Sequence, residues 1–231
     1  MGCWGLVANE RCLIYWVFVL PYTRGVAVVA VDMWVDFGCP WSRMSFVELQ
    51  RVVARRGDTL EVRFHGLRLD ADAPADYGRT TIENLRDHLS IGEDEALAML
   101  QKVVDVGLEV GVGFDFRRAR GASTLDAHRL MKLTYIYGKQ SDFALALWRA
   151  HFEDGLLISD RSVLVACAEE VGVPAHEALR VLMSGEYEAE VLAGEKDAAE
   201  RGIERTPHFV FADGRELSGM QYAADFEAVL G

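Results

Sequence analysis

The sequence has 231 residues, 51% of them apolar, and a formal net charge of −12 at pH 7. That length suits one large domain or a domain carrying an insert, with ample apolar material for a core. The acidic balance argues against nucleic acid and against an anionic membrane surface as partners. Its four cysteines, Cys3, Cys12, Cys39 and Cys167, are widely separated and lack metal-type spacing. The sequence therefore predicts no metal site and a reducing, cytoplasmic setting in place of a disulfide scaffold.

Residues 1–25 fit poorly with the rest of the chain. Cys12 to Leu20 is an apolar run closed by Pro21, too short to span a bilayer. Glu10 and Arg11 precede it with no basic cluster, and no small-residue cleavage site comes after it, so a signal peptide or anchor is the lesser reading. The preferred expectation is an extension outside the fold. The regular pattern starts near Val26. Val31-Asp-Met-Trp-Val35 reads as a buried strand, and Met44, Phe46, Val47, Leu49, Val52 and Val53 suit a helix running to about Arg56. Leu60 to Leu67 alternates, with Leu60, Val62 and Phe64 on one face, and reads as a second strand joined by a parallel crossover. Asp70 to Gly78 is a polar loop or boundary.

From Arg79 to about Arg201 the pattern is helical throughout. Ser90-Ile-Gly-Glu93 has the form of a capping box ahead of Leu97, Leu100, Val104 and Leu108. Ser123-Thr-Leu-Asp126, Phe143 to Trp148, Ser159-Asp160, Pro174 and Glu186 to Arg201 mark further helices. Thr206 to Phe211 is a β-rich run with Pro207 near its start, Glu216 to Gly219 its hairpin partner, and Tyr222 to Leu230 a closing helix. The expected organisation is α/β: residues 26–78 and 203–231 form one domain, and 79–202 form an inserted helical subdomain.

The chemistry concentrates where the first strand empties through Gly38 into Cys39-Pro40-Trp41-Ser42. Pro40 fits a first helical turn, where its missing N–H costs nothing. A sulfur at that point faces unpaired backbone N–H groups, which favour the reactive thiolate. Ser42 can donate to that thiolate or simply fill space. Trp41 suits an apolar rim beside the sulfur. Cys167 lies on an apolar helical stripe and reads as core, and Cys3 or Cys12 would reach the site only if the extension folded over it.

These residues resemble the DsbA-like thioredoxin-fold proteins, most closely the FrnE-like group. Three motifs carry the resemblance from about Val31 to the C-terminus: Asp36-Phe-Gly-Cys-Pro-Trp-Ser42, matching a Cys-Pro-Trp-Cys site; Asp126-Ala-His-Arg-Leu130 with Gly138-Lys-Gln140 and Trp148-Arg-Ala-His-Phe152; and Gly202-Ile-Glu-Arg-Thr-Pro207-His-Phe-Val210 with Leu217-Ser-Gly-Met-Gln221. The resemblance implies a thioredoxin-like fold with a large all-helical insertion. It also implies a cis Pro207 facing Cys39, with Thr206 and His208 beside the substrate. Ser42 departs from the family pattern, because it stands where the resolving thiol belongs. A lone Cys39 then needs an outside thiol to release a mixed disulfide. The resemblance thus implies a monothiol thiol–disulfide oxidoreductase acting on protein or small-molecule disulfides. No cofactor is expected to be bound, and a low-molecular-weight thiol is expected as co-substrate. The alternatives are a thiol-cofactor-dependent isomerase of a small aromatic substrate, of the 2-hydroxychromene-2-carboxylate isomerase kind, and a redox-silent binding module.

Overall fold

A computed structural model describes residues 25–231; the expected N-terminal extension, with Cys3 and Cys12, lies outside them. Strand β1 (Val28–Val35) leads through a short turn into helix α1 (Pro40–Arg55) and then β2 (Thr59–Gly66). Seven helices come next: α2 (Thr81–Leu89), α3 (Glu93–Glu109), α4 (Leu125–Ile136), α5 (Gln140–Phe152), α6 (Arg161–Glu170), α7 (Ala175–Leu182) and α8 (Glu188–Glu200). The chain ends with β3 (His208–Phe211), β4 (Glu216–Ser218) and α9 (Ala223–Leu230). The sheet order is β2-β1-β3-β4. β1 and β2 run parallel, as a strand–helix–strand crossover requires, and β3 and β4 are antiparallel additions.

Period-two alternation divides the sheet into two unlike faces. Val31, Met33 and Val35 of β1 join Phe64, Phe209 and Phe211 on the apolar face, against Phe46, Leu49 and Val52 of α1 and Phe226 of α9. The same core continues without a break into the helices through Phe143, Leu147 and Trp148 of α5, where Phe46, Phe64 and Trp148 meet ring to ring. On the other face, Trp34 packs with Ala198 and Ile203 at the end of α8. It stacks on His65 at 4.4 Å between centroids and lies under the Arg201 guanidinium at 4.8 Å.

One expected cap is placed differently. Ser90 does not begin α3: it closes α2 in the left-handed region at φ 53, and Gly92 precedes α3 without a side-chain cap. The capping box belongs to α2, where Thr80 Oγ1 accepts from the Glu83 N–H and the Glu83 carboxylate accepts from the Thr80 N–H. Both stretches have a hydroxyl three residues before a Glu, but only Thr80 has helical backbone immediately after it. Among the described residues no helix is long and apolar enough to cross a membrane, and no group of three or more His, Cys, Asp or Glu could hold a metal ion.

Candidate active site

Cys39 is the N-cap of α1, and Pro40 is its first helical residue. The turn is closed from below by Asp36, whose carbonyl accepts the Cys39 N–H at 3.1 Å. Its carboxylate accepts from the Gly38 N–H at 3.3 Å and from the Leu69 N–H at 2.8 Å. One short side chain therefore shapes the turn and ties it to the chain leaving β2. Opposite the turn, the Thr206–Pro207 peptide is cis, and the Cys39 thiol donates to the Thr206 carbonyl at 3.6 Å. The cis loop is fixed in turn, because the Gly219 N–H donates to the Pro207 carbonyl at 2.8 Å. Just beyond, the Gln221 N–H donates to Ser45 Oγ at 2.9 Å and the Ala223 N–H to Glu48 Oε2 at 2.9 Å, so the C-terminal segment is fastened to α1.

Cys39 is 3% exposed, and this reverses the expectation drawn from the helix end. Burial pushes the thiol above its usual range; the side chains of Thr206 and Ser42 and the Ser42 N–H pull it back, and the charge of Asp36 adds to the rise. Loss of water around the sulfur outweighs what the helix terminus offers. The Ser42 and Thr206 hydroxyls are themselves buried with no hydrogen-bond partner among the described residues. Both are thus free to donate to a thiolate when one forms.

Asp36 is also buried. Burial works to raise its carboxyl, but His128, the Leu69 N–H and Thr124 outweigh it and hold the group below the ordinary carboxylate range. His128 Nε2 stands 3.7 Å from Asp36 Oδ1, and its ring tilts against Phe37 at 4.8 Å. His151 is 4% exposed with Nδ1 unpartnered. Burial lowers its pKa to about 4, against the opposing pull of Asp36 and the Leu156 backbone. His128 and His151 come from separate stretches of the second motif, on α4 and α5, and the fold delivers both to the underside of the Cys39 turn. The sequence pattern assigns neither to the site; their presence in the motifs that carry the resemblance is the one signal it holds.

The remaining candidate residues divide. Pro40 borders a cavity of about 550 Å³ that runs from the turn into the insertion. Trp41 is half-buried on a satellite cluster with Met44, Val110, Val112 and Met220. His208 makes its contacts elsewhere: Nε2 is 3.1 Å from Glu216 Oε2, and its ring meets the edge of Trp34 at 6.0 Å. Strand alternation carries it to the face of the sheet that holds Trp34. Arg129 is a tether, donating to the carbonyls of Glu186, Val181 and Ser184 and pairing with Asp126. Arg43 likewise binds the Gly113 carbonyl at 3.0 Å and pairs with Glu153.

The fold that carries this site has counterparts among known proteins. A model of the DSBA-like thioredoxin domain matches residues 30–231. Among solved structures the chain is similar to a probable DsbA oxidoreductase from Streptomyces coelicolor, with 27% identity over 87% of this chain and 88% of that one and a TM-score of 0.81. It shares its fold with the cytosolic disulfide reductase DsbM from Pseudomonas aeruginosa, solved with GSH, at 18% identity over 87% and 96% of the two chains and a TM-score of 0.60. A 2-hydroxychromene-2-carboxylate isomerase has the same fold at 15% identity, 87% and 94% coverage and a TM-score of 0.61. A search of curated proteins gave no match. From the match across nearly the whole described chain, this protein belongs to the DSBA-like thioredoxin domain family.

Proposed function

We propose that this protein is a monothiol thiol–disulfide exchange enzyme of a reducing compartment, working through Cys39 alone. The observation that supports it is the meeting of the Cys39 thiol with the Thr206 carbonyl beside a cis Pro207, at a helix start where Ser42 occupies the place of a second thiol. Cys39, as thiolate, attacks one sulfur of a disulfide; the S–S bond breaks, the leaving thiolate takes a proton, and Cys39 is left in a mixed disulfide. An external low-molecular-weight thiolate then attacks the bound substrate sulfur, forms the new disulfide and releases Cys39. Ser42 and Thr206 stabilise the Cys39 thiolate in both steps, and Pro207, Pro40 and Trp41 frame the approaching chain.

The raised thiol sets a direction. A member of this chemistry becomes a strong oxidant when its reduced form is stabilised. Burial and the Asp36 charge work against the Cys39 thiolate, so the site is suited to taking up half of a disulfide and passing it on to the external thiol. The test is incubation with hydroxyethyl disulfide across pH 6 to 10, followed by peptide mapping, with Cys39→Ser as control. The expected product is an adduct on Cys39, formed faster as pH rises and removed by added thiol. If Cys39 stays unmodified at every pH, exchange is ruled out and the binding-module reading takes its place.

A further inference from the structure

We propose that the cavity beside the Cys39 turn binds the body of a small, amine-bearing disulfide, and that it selects this cationic class over acidic peptide disulfides. The inference rests on the exchange reading above and names its substrate. At about 550 Å³ the cavity has the size of a small-molecule site. Gly38 and Pro40, the neighbours of Cys39 on either side, form part of its wall, so a bound molecule has one end at the reactive turn. Leu69, Leu85, Leu100, Phe116, Phe152 and Ile158 supply apolar surface for its body.

The polar groups fall into two sets. Asp36, Thr124 and His151 line the cavity and are buried. His151 stands in the wall with a ring whose pKa of about 4 leaves it uncharged at neutral pH, so it adds no positive charge to the cavity. The exposed set includes Asp70, Asp87 and Arg79. Arg79 is paired with Asp87, and the nearby Arg120 and Arg68 are taken by Asp76 and Glu195. Asp70 accepts from the Tyr77 hydroxyl and forms no ion pair among the described residues. Each of these arginines is therefore paired with a carboxylate, while Asp70 at the mouth has no such partner among the described residues and Asp36 within faces the His128 ring at 3.7 Å. The chain's overall −12 adds to the same field. An ammonium group is drawn in; a carboxylate-rich thiol such as glutathione is opposed.

In this exchange the Cys39 thiolate attacks the ligand disulfide, one aminothiol leaves with a proton, and the other stays in a mixed disulfide until a second thiol releases it. The experiment compares the rates of adduct formation on Cys39 with cystamine, hydroxyethyl disulfide and glutathione disulfide, cationic, neutral and anionic respectively. Each rate is divided by that of a free small thiol with the same reagent, at low salt. The expected order is cystamine, hydroxyethyl disulfide, glutathione disulfide, spanning about tenfold or more and shrinking as salt screens the field. Asp70→Asn narrows the cystamine to glutathione ratio, and Ala122→Phe, which fills the cavity from its wall, lowers the cystamine rate toward the neutral one. Glu188→Gln removes one charge on the exposed face of α8 and leaves the ratio in place. Equal normalised rates, a preference for glutathione disulfide, or an Asp70→Asn effect no larger than that of Glu188→Gln overturns the cavity assignment while exchange at Cys39 stands. Absence of any adduct on Cys39 with all three reagents overturns the exchange reading itself.

Discussion

Cys39 and Cys167 are the two described cysteines, both free, buried at 3% and 6% exposure, and both pushed upward in pKa by burial. What separates them is their surroundings. Cys167 lies on α6, joined to the main apolar core. Burial raises its thiol to about 11, Glu170 adds to the rise, and Arg149 opposes it. Cys39 has two unpartnered hydroxyls beside it, a backbone N–H from Ser42, and a carbonyl across a cis peptide. Burial alone makes a thiol inert. A working nucleophile needs groups placed to meet its charge when that charge forms.

The largest test of this contrast is Ser42→Cys. If Ser42 faces the Cys39 sulfur, the variant holds two thiols at the ends of a Cys-x-x-Cys turn and converts to an internal disulfide under mild oxidant. Peptide mapping should show Cys39 joined to position 42 essentially completely, with Cys167 still reduced. A variant that keeps both thiols free means that the two positions do not face each other, and the assignment of Ser42 to the site fails.

The strand–helix–strand start, the helical insertion and the closing hairpin are readable in the sequence because each rests on local periodicity. Placement of Pro207 opposite Cys39 comes through resemblance, since nothing local in Thr206-Pro207 reports a partner far back in the chain. The state of the Cys39 thiol is misjudged from sequence for a physical reason: a helix-end argument counts nearby N–H groups and leaves out desolvation, which depends on the whole fold. The cap at Ser90 is misplaced because the pattern of a hydroxyl and a Glu three residues on recurs at Thr80-Thr-Ile-Glu83, and only backbone conformation tells the two apart. Asp36, His128 and His151 belong to three separate stretches of the chain. Their assembly beneath one turn is tertiary information, and no spacing rule contains it.

That assembly has a cost at low pH which the Cys167 region does not share, and this gives the second test. His151 is held neutral, with a folded pKa of about 4 against the ordinary value of 6.5. The unfolded chain therefore binds more protons between those two pH values, and stability falls as pH drops through that window. It is fully retained above about pH 6.5, and the loss attributable to this one group comes to about 3 kcal/mol near pH 4. Urea unfolding of the wild type and of His151→Leu between pH 7 and pH 4 measures it. The variant should lose less stability over that range by about the stated amount; parallel curves would mean that His151 titrates freely and is not held in the wall of the site.

The smallest expected effect belongs to Cys167→Ala, and it is the one that tests the other half of the comparison. Removing one buried sulfur from the α6 face should cost about 1 kcal/mol, the scale of one buried methylene-sized group, and shift the urea midpoint without changing the slope. The rate and pH profile of adduct formation at Cys39 should stay as they are, because none of the groups that act on the Cys39 thiol lies on α6. Release of the adduct by an added thiol should be equally unaffected. If release instead slows in Cys167→Ala, then Cys167 has been attacking the mixed disulfide from within the chain. The monothiol description would give way to a two-cysteine cycle that requires α6 to open.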